Sequence, residues 1–251
     1  MTWQSALWII ASGLGTAVGA SVLLVFRRRP ARRLLDGLLG FTAGVMAAAV
    51  SFSLIVPGLE LGGWAEVVGG FLLGVGFLLL LDVLVPHAHA GFAERGRLPL
   101  EQVAAGRRAV LLLGALTIHN IPEGMAVGAA FAAGGTDAGI ALALAIGIQN
   151  IPEGFAAGAP LIDLGTSRWR ATAIAGSTGL VEPPAAFLTF FAVEAIGPLL
   201  PWTLGFAAGA MLYVVVDELI PEAERHGNER VATLAAMAGF ALLLALDNAL
   251  G

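Results

Sequence analysis

Apolar residues run through this chain in long stretches, separated at regular intervals by short polar segments. Eight of these stretches are about 20 residues or longer, which is the length that a helix needs to cross the hydrocarbon core of a bilayer. The sequence therefore predicts eight transmembrane helices, at about 5–26, 34–57, 65–86, 109–132, 138–160, 171–194, 202–224 and 230–249. A closed barrel would show short strands of alternating polarity instead. We expect one all-α integral membrane domain over residues 1–251.

Composition and charge agree with this assignment. Hydrophobic residues make up 58% of the chain, charged residues 12%, and the mean hydropathy is +0.87. All 13 basic residues are arginine, and they lie in alternate connections, at 27–33, 95–108, 168–170 and 225–230. Under the positive-inside rule these connections are cytoplasmic, so both termini are outside. We expect a multi-pass protein of the plasma (inner) membrane, surrounded by lipid and without a nucleic-acid partner.

A hexapeptide occurs twice within the apolar sequence. His119-Asn120-Ile121-Pro122-Glu123-Gly124 is followed 30 residues later by Gln149-Asn150-Ile151-Pro152-Glu153-Gly154. Because the fourth and fifth spans run in opposite directions, the tandem copies predict an inverted repeat about a pseudo-two-fold axis in the membrane plane. Both copies lie near the middle of their spans, so we expect them to meet at the midplane.

The repeated motif concentrates polar atoms on one helix face. Residues i, i+1 and i+4 of a helix share a face. They are His119, Asn120 and Glu123 in one copy, and Gln149, Asn150 and Glu153 in the other. Glu182 is a third acid in the middle of a span, and no lysine or arginine lies nearby in the sequence. These buried carboxylates must therefore be protonated or pair with a cation.

Imidazole, carboxylate and amide oxygen together suit Zn²⁺ and its first-row neighbours. The absence of cysteine argues against a structural zinc site or a Cu(I) carrier. We expect Zn²⁺ as the bound or transported ion, with Cd²⁺, Fe²⁺, Mn²⁺ and Co²⁺ as alternatives and no resident cofactor. A structural interpretation remains beside this one, in which protonated glutamates form hydrogen bonds between helices.

Other polar residues lie near the ends of the predicted spans, where they would line a route to the midplane. They are Ser53, Glu60 and Asp247 at the outer ends, and Asp82, His87, His89, Asp217, Glu218, Glu222 and His226 at the inner ends. Met46, in the second span, is a further candidate for the route, although packing in the core also explains it. For each residue alone, a solvated helix end is the simpler interpretation.

At these motifs the chain resembles the ZIP (Zrt/Irt-like protein) family of divalent-metal transporters, and Gln149, Asn150 and Glu182 resemble its GufA-like branch. The resemblance implies metal import through a binuclear centre in which Glu123 and Glu153 are shared between two sites. His119 and Gln149 would complete one site, and Asn120, Asn150 and Glu182 the other. It also implies an outer entrance at Ser53, Glu60 and Asp247, and an inner exit at Asp217 and Glu218.

The chain departs from the family pattern in two ways. Asp217 stands where many members have histidine, and only His87 and His89 correspond to the family's histidine-rich loop. Gln149 stands where many eukaryotic members have histidine, which weakens any transfer of their metal preference.

Three functions fit these features. A secondary transporter that works by alternating access is the first, a selective divalent-cation channel is the second, and an intramembrane metalloenzyme is the third. The chain lacks the His-Glu-x-x-His arrangement of zinc proteases, so we do not expect an enzyme. Small residues at helical spacing predict close helix packing, and such faces would also support a homodimer. They include Gly15/Gly19, Gly40/Gly44 and Gly205/Gly209.

Overall fold

The computed structural model describes residues 1–25, 30–90, 100–133 and 135–250, with their side chains except those of 82–90, 100–112, 115, 135 and 250. These residues form helices and turns, and no strand occurs among them. We number the successive helical segments α1 Trp3–Val25, α2 Arg32–Leu61, α3 Trp64–Ala90, α4 Leu100–Ala133, α5 Gly135–Asp163, α6 168–195, α7 Gly197–Glu224 and α8 Glu229–Leu250. The all-α prediction is confirmed, and each predicted span coincides with one segment.

Six of these segments, namely α1, α2, α3, α5, α7 and α8, are long and apolar enough to cross a membrane. In α6 a 3₁₀ turn, Thr178–Val181, separates Arg168–Ser177 from Glu182–Ala195. The turn lies just before Pro183 and Pro184, which cannot donate backbone hydrogen bonds. Side chains in the first part of α4 lie outside those described. The chain is a multi-pass integral membrane protein.

Two helices extend beyond the apolar stretches that predicted them. α3 continues to Ala90 and α4 begins at Leu100, whereas the hydropathy pattern ended the third span at 86 and began the fourth at 109. Hydropathy finds only the part of a helix that lies in lipid, because a helix outside the bilayer can carry polar side chains. Asp82, His87 and His89 fall in the stretch whose side chains are not among those described.

Two helices contain a π-helical turn at equivalent places. The turn is Ala49–Ile55 in α2 and Val215–Leu219 in α7, and a proline follows each one, Pro57 and Pro221. Proline has no N–H to donate to the carbonyl four residues earlier. The preceding residue in each case bonds five residues back instead, from Val56 to Ser51 and from Ile220 to Val215. Such bulges widen a helix locally and often lie at functional sites.

The helices pack in two groups. In one group α1 packs on α5 and α6, and α4 packs on α5 and α6; in the other, α2 packs on α8 and α7, and α3 on α7. Packing of α4 on α7 and of α2 on α5 joins the two groups. Glycines make the closest approaches: a Cβ atom at Gly15 or Gly19 would meet the backbone of α5, at Gly40 or Gly44 that of α8, and at Gly205 or Gly209 that of α3. These glycines are packing positions within one chain, as their spacing predicted.

Candidate metal centre

The two copies of the hexapeptide lie in α4 and α5, and both helices continue through Pro122 and Pro152. The glycine that ends each copy lies against a neighbouring helix. A Cβ atom at Gly124 would collide with the backbone of Glu182 in α6, and one at Gly154 with the backbone of Thr16 in α1. These close approaches bring α6, with its mid-span acid, to the motif of α4.

All seven candidate ligand residues are buried in the same region of the helix bundle. They are His119, Asn120, Glu123, Gln149, Asn150, Glu153 and Glu182, and none is more than 3% exposed. Polar side chains without access to water must find partners inside the protein or bind a ligand, because an unsatisfied polar group is costly there. The hydrogen bonds of these seven residues are therefore informative.

Two of the three carboxylates accept a hydrogen bond from an amide of α5. The side-chain nitrogen of Gln149 donates to Oε1 of Glu123 in α4. The nitrogen of Asn150 donates to Oε1 of Glu182 in α6 over 2.7 Å. The α5 copy of the motif thus connects the acids of both neighbouring helices through neutral amide groups.

Many atoms of the centre have no hydrogen-bond partner among the described residues. They are Nδ1 of His119, both amide atoms of Asn120, Oε2 of Glu123, Oε1 of Gln149, Oδ1 of Asn150, Oε1 of Glu153 and Oε2 of Glu182. All but one, the Asn120 amide nitrogen, belong to types that bind divalent cations. Within the described part of the chain, no three His, Cys, Asp or Glu side chains are grouped closely enough to hold a metal ion alone. A cation bound here would therefore need amide oxygens as well.

The sequence places no arginine or lysine close to the centre to balance its acids. No lysine occurs in the chain, and no arginine lies between positions 108 and 168 or between 170 and 225. Ionised carboxylates buried without a counter-charge are too costly to persist. The donor set fits a divalent cation, which would supply the missing charge.

The residues predicted for the outer entrance are only partly brought together. Ser53 in the π turn of α2 donates a hydrogen bond to Oδ1 of Asp247 in α8 over 3.1 Å. Glu60 is exposed at the end of α2. Met46 is 1% exposed and packs in the main hydrophobic core, which agrees with a packing role.

The residues predicted for the inner exit surround the π turn of α7. Glu218 lies 3.2 Å from Nε2 of His119, measured to its Oε1, so it connects this turn directly to the centre. Asp217 is exposed. Glu222 forms an ion pair with Arg225 at 3.3 Å. Glu218 thus joins the predicted exit to a candidate ligand.

The structure adds Asp36, which the sequence reasoning missed. It is 1% exposed near the start of α2, and accepts hydrogen bonds from Asn228 at 2.8 Å and from the ring of His226 at 3.1 Å. An acid within the apolar run 34–57 was the signal that could have revealed it. With Leu39, Glu222, His226 and, from the other group, Leu116, Ala156 and Ala157, it lines a small crevice at an arginine-rich end of the bundle.

Fold and site together define a multi-pass helical membrane protein with a buried, acidic and amide-rich centre that suits a divalent cation. The family described as ZIP Zinc transporter matches residues 96–247. The chain belongs to this ZIP family, in its GufA-like branch.

Individual relatives match over nearly the whole chain. Zinc transporter GufA of Myxococcus xanthus is 41% identical and covers 97% of this chain and 98% of its own length. Zinc transporter ZIPB of Bordetella bronchiseptica is also 41% identical and covers 94% and 78%. Human Zinc transporter ZIP11 is 36% identical and covers 94% of each chain. The family consists of transporters and not enzymes, so the metalloenzyme interpretation is set aside.

Proposed function

We propose that this protein is a secondary transporter that imports Zn²⁺ into the cytoplasm through a midplane site for two metal ions. The proposal depends mainly on one observation: Glu123, Glu153 and Glu182 are buried, and each has a carboxylate oxygen without a hydrogen-bond partner among the described residues. The sequence places no arginine or lysine near them. Three acids buried in one region without a counter-charge are unfavourable for a purely structural cluster and favourable for a cation site.

The charge of the centre accommodates either one or two divalent ions. Three carboxylates leave a net charge of −1 with one divalent ion and of +1 with two, so exchange between the two states keeps the centre close to neutral. We infer that Glu123 and Glu153 bridge the ions. His119 and Gln149 would complete one site, and Asn120, Asn150 and Glu182 the other. Both bridging residues come from the repeated motif, one from each copy.

The packing of the helices supports alternating access about this site. All seven candidate ligands lie in α4, α5 and α6 of one group, while Glu218 lies in α7 of the other group. Contacts between His119 and Glu218, and between the Thr42 hydroxyl of α2 and the Gln149 carbonyl at 3.3 Å, join the two groups. A movement of one group relative to the other would break these contacts and change the access to the metal.

The proposed route enters past Met46, Ser53, Glu60 and Asp247 and leaves past Asp217, Glu218 and Glu222. The crevice between the two groups at the arginine-rich end supports the exit, because its walls carry Asp36 and Glu222 beside Arg32 and His226. Carboxylate and imidazole groups along such a crevice would attract a departing cation. If the arginine-rich end faces the cytoplasm, passage from entrance to exit along this route is import.

We infer eight spans, with α4 and α6 crossing the membrane like the six apolar helices. The mirrored packing supports an inverted repeat: α1 pairs with α5 as α6 pairs with α4, and α2 with α8 as α7 with α3. The π turns of α2 and α7 are equivalent in the same scheme. Exposed Trp3, Trp64 and Trp202 near one set of helix ends, and Trp169 near the other, suit the two membrane interfaces.

The natural absence of cysteine makes the topology easy to test. With Thr2→Cys, a membrane-impermeant maleimide should label intact cells, because the N-terminus is expected outside. With Ser167→Cys, in the turn between α5 and α6, labelling should need permeabilised cells. Labelling of Ser167→Cys in intact cells would contradict the proposed orientation.

The transport unit needs only one chain in this proposal. The glycines that would have supported a homodimer contact other helices of the same chain, so they provide no argument for a second copy.

A selective channel with the same ligands is the remaining alternative. A site with many ligands should hold its ion too firmly for rapid conduction, which favours a carrier.

Zinc uptake into proteoliposomes tests the proposal. We expect wild-type uptake to saturate with zinc, and Glu123→Gln/Glu153→Gln to reduce it about 100-fold or more, since bridging ligands lose their charge while keeping their shape. Glu194→Gln is the control, because Glu194 is an exposed acid near the C-terminal end of α6, the helix that carries Glu182. Equal uptake by all three proteins would reject the metal site, and non-saturating uptake would favour the channel. Competition by Cd²⁺, Fe²⁺, Mn²⁺ and Co²⁺ would rank the substrates, because the ligand set accepts all of them.

A further inference from the structure

The amide nitrogen of Asn150 is shared between two other helices. It donates to the backbone carbonyl of Ser12 in α1 over 3.0 Å and to Oε1 of Glu182 in α6 over 2.7 Å. A backbone carbonyl can only accept, so the chemistry requires the nitrogen, and not the oxygen, at this position. An amide has two N–H groups, and both are used. Asn150 therefore connects α5 to α1 and α6 at the level of the candidate metal centre.

This orientation leaves the oxygen of the same amide available. Oδ1 of Asn150 and Oε2 of Glu182 are both buried without a partner among the described residues. In a planar amide the oxygen and the nitrogen point to different sides of the group. One orientation of Asn150 can thus donate to Ser12 and Glu182 and still present an oxygen to a cation, without any rotation on binding.

The equivalent residue of the other repeat lacks this arrangement. Asn120 occupies the same place in the α4 motif and is equally buried, yet neither its nitrogen nor its oxygen has a described partner. Two asparagines that the sequence presents as equivalent therefore differ in the structure. The difference comes from α1, which brings the Ser12 carbonyl to Asn150.

We propose that Asn150 is a positioning residue for the transported cation: anchored on the Ser12 carbonyl of α1, its amide holds Glu182 in the orientation that binds metal, both with and without the ion. The proposal rests on the proposed transport function. This role differs from that of a ligand alone, because the two N–H donors of Asn150, and not only its oxygen, contribute to metal binding by holding Glu182. A buried carboxylate that is held by a donor does not have to be reoriented when the cation arrives, which lowers the cost of binding.

Two matched substitutions distinguish the effect of losing the N–H donors of Asn150 from the effect of losing an amide oxygen ligand. Asn150→Leu and Asn120→Leu each remove one amide oxygen from the centre and have nearly the same volume change. Asn150→Leu also removes two hydrogen bonds and leaves the Ser12 carbonyl and Glu182 without them. We expect the apparent Tm of the zinc-free protein in detergent to fall by roughly 5 °C in Asn150→Leu. In Asn120→Leu it should stay level or rise, since an unsatisfied buried amide is removed.

Uptake separates positioning from stability alone. The zinc concentration for half-maximal uptake should be about tenfold higher in Asn150→Leu than in Asn120→Leu, because Glu182 is no longer held. Equal half-maximal concentrations in the two variants would overturn the proposal, even if their Tm values differ, since Asn150 would then be only a packing residue. Equal Tm values in the zinc-free proteins would overturn it as well.

A charged substitution gives an independent readout. Asn150→Asp places a carboxylate against two acceptors, so the zinc-free protein should be less stable than Asn120→Asp, which adds the same charge to the same metal position. Zinc should restore most of the lost stability in Asn150→Asp, because the cation relieves the repulsion. A deficit that zinc leaves unchanged would contradict the proposal. Failure of the transport function itself would be seen separately, as absence of saturable uptake in the wild type.

Discussion

Gly124→Val is expected to abolish most zinc transport and to destabilise the protein. The new side chain would collide with the backbone of Glu182, a neighbour that cannot move aside without shifting α6. Overpacking of this kind costs about 1–3 kcal/mol or more. The shift would also move the Glu182 carboxylate away from the other ligands. Displacement of a reacting group by about 1 Å can cost about 100-fold in rate, and we expect a loss of this size in uptake.

Gly114→Ala is the control for this substitution, because Gly114 lies in the same helix and a Cβ atom there would meet no described atom within 4 Å. It should leave zinc uptake unchanged and stabilise α4 by up to about 1 kcal/mol, since alanine favours helix more than glycine does. The two measurements are proteoliposome uptake and the apparent Tm in detergent. Wild-type uptake by Gly124→Val would mean that the close contact between α4 and α6 is not required for the site.

The sequence was sufficient for the helices and for the composition of the centre. Apolar runs located the eight helical segments, although α3 and α4 extend beyond their runs. The repeated motif identified six of the seven buried candidate ligands, and the isolated acid in Glu182-Pro183-Pro184 identified the seventh. Mid-span acids are rare enough in membrane helices to be recognised from position alone.

Partners and local backbone geometry were beyond the sequence. Ser12 accepts the hydrogen bond of Asn150 with its backbone carbonyl. Every residue has such a carbonyl, so the identity of residue 12 does not predict this contact. The π turns of α2 and α7 precede Pro57 and Pro221. The prolines indicate that the helical hydrogen bonding is interrupted there, but they do not predict that a π turn results. The contact between His119 and Glu218 joins residues 99 positions apart, and depends on how two helix groups are arranged.

The two motifs also show that sequence symmetry need not extend to the contacts. Gly124 and Gly154 occupy the same place in the repeat, and each lies against a neighbouring backbone, that of Glu182 and that of Thr16. Under the proposed inverted repeat, Thr16 in α1 is therefore the counterpart of Glu182 in α6. Its hydroxyl is buried without a described hydrogen-bond partner, but it carries no charge. The third acid, Glu182, comes from one half of the repeat only, so the two proposed metal positions would not be equivalent.

Zinc is expected to stabilise the wild-type protein strongly. A ligand that binds only the folded state at about 100 times its Kd adds about 2.7 kcal/mol. For a chain of this size that amount corresponds to a rise in apparent Tm of roughly 5–10 °C. The physical reason is specific to the centre: the cation would neutralise Glu123, Glu153 and Glu182 and engage oxygens that otherwise have no described partner. The measurement is a thermal scan in detergent, with a chelator and then with increasing zinc.

Two comparisons make this result decisive between a metal site and a structural cluster of protonated glutamates. Glu123→Gln/Glu153→Gln should show no rise with zinc, because the charges that attract the ion are gone while the amides keep the capacity to hydrogen-bond. Mg²⁺ should also give no rise with the wild type, since it prefers an octahedron of hard oxygens and keeps its water. If the glutamates served only to hold helices together, zinc would leave the Tm of both proteins unchanged. A rise confined to the wild type therefore requires the carboxylates to be available to an ion, which is the condition for transport through this centre.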